Sequence, residues 1–356
     1  MMEIYVLNGL NGVLDVIDTF ESVIWNVQYF SRNDFELKIA GTSENLNLLS
    51  VGALLVRDID MSNGTHKNVM RIDKRKLDFD TEKGWVLTVT GKGLKNIVAN
   101  RIVWIQTNLT GSVEKGIRQL ITENIISPTD SNRAIPNFIL DTENGFTDTF
   151  DIQLLGENIG EWLESTCTTY GYGWDVFIKN GQYVFSLYKG TDRSYNQSAV
   201  VPVVFSPEFD NLLSSSYTYG VEEYKNAALI GGEGEGTKQR VASVGSATGL
   251  DRIETYIDAS TVSSNGEIIT VDTYMKMLED YGNGQLSTLA FTEKFEGVII
   301  PDGMYKLNQD YFLGDVVQIV NEKGIYATTR IIEIIYSEDA NGTNVVPTFS
   351  EWEVNK

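Results

Sequence analysis

One stretch near the C-terminus constrains the fold more than any other: Asp310-Tyr311-Phe312-Leu313-Gly314-Asp315-Val316-Val317-Gln318-Ile319-Val320. An aromatic pair leads through Gly314-Asp315 into an apolar, β-branched run, a composition that favours strand. Gly314 can take a positive φ that other residues avoid, and Asp315 can accept hydrogen bonds from nearby amides. The pair therefore launches a strand of a small β-barrel. Asn321-Glu322-Lys323-Gly324 then turns the chain into a second strand-like run, Ile325 to Ile335.

The first hundred residues read the same way. Glu3 to Leu7 and Val13 to Phe20 are strands across an Asn8-Gly9 and Asn11-Gly12 turn region, the dipeptides that tight hairpins prefer. Ser22 to Phe30 and Phe35 to Ile39 add two more. Val51 to Asp58 and Val69 to Lys76 flank a polar tip, Ser62-Asn63-Gly64-Thr65-His66, and Trp85 to Thr90 alternates as a half-buried strand should. Many short strands with close turns imply an antiparallel sandwich or barrel.

The period then changes. Val113, Ile117, Leu120, Ile121 and Ile125 fall on one helical face between Ser112 and Ile126, and Ser127-Pro128 ends that helix. A second helix, about Glu157 to Tyr170, gathers Ile159, Trp162, Leu163, Thr166 and Tyr170 and stops at Gly171. Trp174 to Lys179 and Gln182 to Lys189 form a hairpin around Asn180-Gly181. This block reads as an α/β insertion between two β-rich regions. Strands resume at Val200 to Phe205, Ser214 to Tyr219 and Asn226 to Gly236. A third helix, roughly Val271 to Tyr281, turns Tyr274, Met277, Leu278 and Tyr281 inward, and the rest is β.

The 356 residues carry 49 acids against 28 Lys and Arg, a formal charge of −21. One reading is solubility. The other is a conduit that DNA must pass without sticking, since proteins hold duplex DNA largely through Lys and Arg on its phosphates. No basic run with interleaved aromatics occurs, so stable nucleic-acid binding is not expected. No apolar run approaches the ~20 residues of a membrane helix, and Met1-Met2-Glu3-Ile4 lacks a secretory signal's basic segment. Cys167 is the only cysteine, which excludes intrachain disulfides and fits a reducing cytoplasm. Its place on the second helix is a packing position.

Enzyme signatures fail one by one. Gly232-Glu233-Gly234-Glu235-Gly236 has the wrong spacing for a dinucleotide or phosphate loop and carries acids that repel phosphate; it reads as a flexible or tightly bent structural loop. A Ser-His-Asp triad would need His66, which sits in a hairpin tip without a nucleophile elbow. One His and one Cys cannot build a usual zinc site. Glycoside hydrolysis needs only two carboxylates, and Glu161 and Glu164 lie near aromatics, but an i,i+3 pair on a solvated helix face is their ordinary place. Ser337 to Gly342 lacks the bidentate Glu of a calcium loop. No cofactor, metal or catalytic residue is expected.

Several separated stretches together resemble the siphovirus tail-hub family, the Gp37-like baseplate-hub proteins. They are Ile4-Tyr5-Val6-Leu7, Val16-Ile17-Asp18, Ile24-Trp25 and Asp34-Phe35-Glu36-Leu37; then Asn226-Ala227-Ala228 through Gly232, Gly234 and Gly236, Gly249 to Glu254 and Tyr256-Ile257-Asp258; and finally Tyr311 to Val317, Ile331 to Ile335 and Pro347-Thr348-Phe349. No single motif decides; their order over nearly the whole chain carries the likeness.

The resemblance implies a β-rich α+β fold of two small antiparallel β-barrels with an α/β insertion domain. The expected division is 1–97 plus about 196–232 as the first barrel, 98–195 as the insertion, and 233–356 as a helix plus the second barrel. It implies a homotrimer whose paired barrels form a pseudo-sixfold ring at the distal end of the tail tube, adapting the tube to a threefold tip and giving passage to DNA. Expected partners are the distal tail or tail tube protein, the tape measure protein, and tip, spike or receptor-binding proteins of the baseplate. Such a protein is assembled in the bacterial host cytoplasm and resides in the virion tail, of a phage or a prophage-derived particle. Gly314, Asp315, Gly232, Gly234 and Gly236 are the candidate structural-motif residues. Relatives often extend into hydrolases, fibres or receptor-binding modules, whereas this sequence stops at Lys356, so lytic or adhesive activity is expected on another polypeptide. The alternative within the enzyme class is a tail-associated cell-wall hydrolase or peptidase; a carbohydrate-binding receptor module, suggested by 17 Tyr and 6 Trp, is a third.

Overall fold

The structure is a computed structural model that describes residues 2–351 except 11, 83, 267, 290, 291, 301, 302, 324 and 325. The expected turn at Asn11 and the start of the run at Ile325 therefore lie outside the described residues, as does the end of the last unit after 351.

Among the described residues, most of the β-structure is one 13-stranded sheet. Its path runs Leu212–Gly220, Thr292–Ile299, Gly342–Glu351, Tyr326–Asp339, Ser22–Gln28, Asp34–Ala40, Gly84–Gly93, Met70–Asp80, Leu54–Arg57, Ile4–Asn8 and Gly12–Ile17. Val316–Val320 lies off this path, antiparallel to the start of Tyr326–Asp339 and parallel to Val204–Phe205. Phe35, Leu37 and Ile39 are buried in Asp34–Ala40, as are Val23, Trp25 and Val27 in Ser22–Gln28, which shows why these segments are strands: alternate side chains face one shared core.

Two closed barrels were expected, and none of the sheets closes among the described residues. The reason is the length of Tyr326–Asp339. One edge pairs with Gly342–Glu351. Its other edge serves two partners in turn: residues 326–330 pair with Val316–Val320, and Glu333 to Asp339 pair with Gln28 to Ser22. Ladder bonds that could close a C-terminal barrel instead join it to the N-terminal strands. The core follows the ladder, since Trp25, Leu37, Leu55, Met70 and Leu87 share a cluster with Phe205, Tyr311, Val317, Ile331 and Phe349. The fold is β-rich α+β, with a seam where two barrels were anticipated.

The middle of the chain builds a second core. Val113–Ile121 is capped by Ser112, whose Oγ accepts from Lys115 N, and it buries Val113, Ile117, Leu120 and Ile121. It does not run on as α-helix to Ile126; Thr122–Ile126 is a π-helical turn. Ile159–Tyr170 starts at Asn158, which accepts from two amides, and ends at Gly171 with φ 67°, the left-handed cap that glycine favours. Gly173–Lys179 and Gln182–Tyr188 pair around Asn180 (φ 50°) and Gly181 (φ 76°). The tip containing His66 is part of this sheet: Thr65 and His66 pair with Lys179 and Ile178.

A third, smaller core lies under Val271–Ser287, six residues longer than its apolar period indicates. Ala227–Gly231 runs antiparallel to Val241–Val244 and parallel to Glu254–Asp258, and Ile230, Val244, Tyr274 and Leu278 pack between sheet and helix. Among the described residues no helix is long and apolar enough to cross a membrane.

Candidate functional site

The chemistry-bearing residues converge on a joint rather than a cleft. Tyr29 follows directly on the seam strand Ser22–Gln28; its amide donates to Ile332 O at 2.8 Å, and its ring is fully buried. The hydroxyl donates to Gly171 O (3.1 Å) and accepts from Gly190 N (3.0 Å). The ring stands edge-on to Tyr188, with centroids 5.3 Å apart, while the Arg330 guanidinium lies 5.5 Å from its centroid. One side chain thus touches the N-terminal strands, residues 171–190 of the middle of the chain, and the C-terminal strands. Burial pushes the Tyr29 phenol above its ordinary pKa, so it stays a neutral donor and acceptor.

Glycines make room for this ring. Gly314 has φ 93°, and a Cβ there would overlap the Tyr29 ring; a Cβ at Gly173 would overlap it too, and one at Gly190 would strike Gly314 O. Two constraints therefore act at Gly314, backbone conformation and close packing. Its carbonyl accepts from Arg330 Nη1 at 2.7 Å. Next in chain, Asp315 is 2% exposed. Its Oδ1 accepts from Thr191 N (2.7 Å), and its Oδ2 accepts from Arg193 Nε (2.6 Å) and Phe312 N (3.0 Å). A carboxylate so enclosed is tolerable because it is paired and its lone pairs are filled. It ties residues 191–193 to the C-terminal turn.

A second anchor sits beneath. Lys95 Nζ donates to Gln28 O (2.6 Å), Ser31 O (2.9 Å) and Tyr29 O (3.4 Å) and lies 5.1 Å from the Trp174 ring centroid. Trp174 Nε1 donates to Phe30 O. Burial lowers the Lys95 ammonium to about 8. Every carbonyl it holds belongs to the Tyr29 segment, so the cation acts as a backbone clamp.

The glycine-rich loop is elsewhere, on the third core. A Cβ at Gly232 would meet Tyr274 Oη at 2.5 Å; Gly234 has φ 98° and Gly236 φ 56°. Glu233 accepts from Ser263 Oγ (2.8 Å), Ser264 N (2.8 Å) and Ser264 Oγ (2.6 Å), and its own amide donates to Tyr274 Oη. Burial raises the Glu233 carboxyl, but these serines and Arg240 outweigh it and leave it below its ordinary value. The carboxylate braces a bent loop. The motif glycines thus belong to two separate places: Gly314-Asp315 at the joint, and Gly232, Gly234 and Gly236 on the third core.

The remaining candidates are dispersed. Glu164 pairs with Arg32 at 3.0 Å, while Glu161 is exposed at the helix start. Cys167 is buried and its thiol is pushed up to about 12. Among the described residues no His, Cys, Asp and Glu group could hold a metal ion. Sequence reasoning missed Tyr29, Lys95, Arg193 and Arg330. The one usable signal was an aromatic near the end of the expected strand Ser22 to Phe30; nothing local marks its partners.

Residues 3–349 match the model of a family described as Siphovirus ReqiPepy6 Gp37-like protein. Among solved structures, the tail protein from Neisseria meningitidis MC58 superposes with a TM-score of 0.58 at 15% identity, covering 98% of this chain and 96% of that one. The 43 kDa tail protein of prophage MuSo2 from Shewanella oneidensis gives 0.56 at 14%, covering 98% of each. A chain of a PdpA–VgrG complex gives 0.50 at 9%, covering all of this chain and 65% of that one. At these identities the likeness is one of fold. No curated protein matches the sequence.

Proposed function

The chain belongs to the Siphovirus ReqiPepy6 Gp37-like family and is a phage tail protein, structural rather than enzymatic; from that premise we propose that it is the hub of the tail, a noncatalytic ring at the distal end of the tail tube. The observation that carries this reading is the seam, Ser22–Gln28 against Tyr326–Asp339, with Tyr29 locked behind it. Two β-lobes fused through one sheet and one core move as a single body. Three such bodies present six lobes, which suits a sixfold tube on one side and a threefold tip on the other. A cyclic heterologous contact closes at three, whereas an isologous dimer cannot make that match.

The partners follow from this position: the distal tail or tail tube protein, the tape measure protein, and tip, spike or receptor-binding components. Assembly takes place in the host cytoplasm, before the protein resides in the virion tail. Part of the −21 charge lines the channel and keeps transiting DNA from adhering. As segments coupled through the shared core rather than folding alone, we propose 1–97 with about 196–232, 98–195, and 233–356; limited proteolysis tests these boundaries, first at Ala227–Gly231, which pairs across the border near 232. The hub reading itself is tested by the mass of the native oligomer in assembled tails or with the tube protein present. A trimer supports it, and a stable dimer overturns it.

A further inference from the structure

A cavity of about 400 Å³ opens beside the insertion helix, lined by Trp104, Gln106, Thr107, Glu123, Asn124 and Arg133 among others. Trp104 is 59% exposed, so an indole faces solvent at a polar hollow of ligand size. Its surroundings are held in place. Asn124 Oδ1 accepts from Trp104 N (3.4 Å) and from Arg133 Nη2 (3.2 Å), and Asn124 Nδ2 donates to Leu120 O. The Arg133 guanidinium lies 5.1 Å from the indole centroid. Glu123 accepts from Gln119 Nε2 (2.8 Å) and Thr107 Oγ1 (3.4 Å). Glu123 and Asn124 reach the cavity because the helix ends in the π-helical turn Thr122–Ile126, a distortion that costs regular helix bonding and recurs at functional sites.

The lining selects a ligand class. Its acids, Glu123 and Asp130, outnumber its one cation, Arg133, which disfavours phosphates and nucleic acid. Amides and hydroxyls dominate the rest, which disfavours an acyl chain. An exposed aromatic face beside planar amides and carboxylates suits a molecule with one C–H face and a rim of hydroxyls. The geometry points to a saccharide-binding subsite at Trp104, in which a neutral sugar stacks on the indole and its hydroxyls bond Gln106, Glu123 and their neighbours. Because Glu123, Asn124 and Arg133 are already hydrogen-bonded in place, part of the ordering cost of binding is met beforehand.

The test is saturation-transfer NMR on the full chain with maltose, cellobiose and N,N′-diacetylchitobiose. At least one is expected to bind with a millimolar constant. Trp104→Ala, at an exposed position, should melt as the parent does while weakening that binding by about tenfold or more. Trp85→Ala, which removes another exposed tryptophan lying outside this cavity, should leave it unchanged. Absence of transfer from all three sugars overturns the proposal, and so does full binding by Trp104→Ala or an equal loss in Trp85→Ala. Oligomer mass reads the hub proposal separately, so either can fail without the other.

Discussion

Replacing Gly314 with alanine should weaken the joint more than its backbone conformation alone requires. At φ 93° a side chain costs about 1–3 kcal/mol. The added Cβ would also fall well inside contact distance of Tyr29 Cε2. That ring cannot retreat, being held at its hydroxyl by Gly171 and Gly190 and along one edge by Tyr188. Forcing an extra carbon into such packing costs a further ~1–3 kcal/mol, for a total of about 2–6 kcal/mol. The shared core couples the lobes in unfolding. An unfolding entropy of ~2.1 cal/mol/K per residue over 356 residues then puts the drop in Tm at about 3–8 °C. Gly236 supplies the comparison: its φ is also positive, at 56°, but nothing lies within 4 Å of a Cβ there, so Gly236→Ala should cost only the backbone part. Scanning calorimetry of both, with Tyr29→Ala alone and combined with Gly314→Ala, separates the two contributions. In the Tyr29→Ala background the Gly314→Ala penalty should shrink towards that of Gly236→Ala. Equal penalties for Gly314→Ala and Gly236→Ala in the parent would refute the packing argument.

Two further predictions concern buried titratable groups. Lys95 has a folded pKa of about 8 against 10.5, so between those values the unfolded chain binds a proton that the folded chain lacks. Its contribution to stability therefore rises with pH across that window, by about 3 kcal/mol. Urea melts of the parent and Lys95→Met at pH 7.5 and 10.5 should show that rise disappear in the variant; parallel profiles would rule out a buried lysine. Cys167 behaves oppositely, because burial raises its folded pKa from 9.0 to about 12: its stabilising contribution is complete below about 9 and is lost as pH rises towards 12. At pH 8 native protein should resist maleimide and react fully in denaturant, and rapid native labelling would contradict the burial.

Local signals were legible because local physics decides them. Asn180-Gly181 demands positive φ at both positions and makes the same hairpin wherever it is placed. Gly171 ends a helix because a left-handed residue there closes the last carbonyls within a turn. Gly314-Asp315 likewise announces a turn, and the turn is there with φ 93°.

The joint was not legible, for a different reason. Alternation in Ser22–Gln28 tells which face is buried, yet says nothing about which strand lies alongside. The partner, Tyr326–Asp339, is at the far end of the chain, and its choice between closing a barrel and joining the N-terminal lobe is settled by competing ladders of similar chemistry. In sequence, Gly173 and Gly190 look no different from Gly236, although two are packed against Tyr29 or Gly314 and the third faces open space. Nothing in their sequence neighbourhoods singles out Lys95 or Arg193; only the folded chain brings Lys95 to three carbonyls and Arg193 to Asp315. The sequence by itself determined a β-rich chain with helices along its middle and an excess of acids. Which strands pair, and hence that N-terminal and C-terminal strands share one sheet and one core, was decided by tertiary structure, because burial is a property of a residue while partnership is a property of the whole chain.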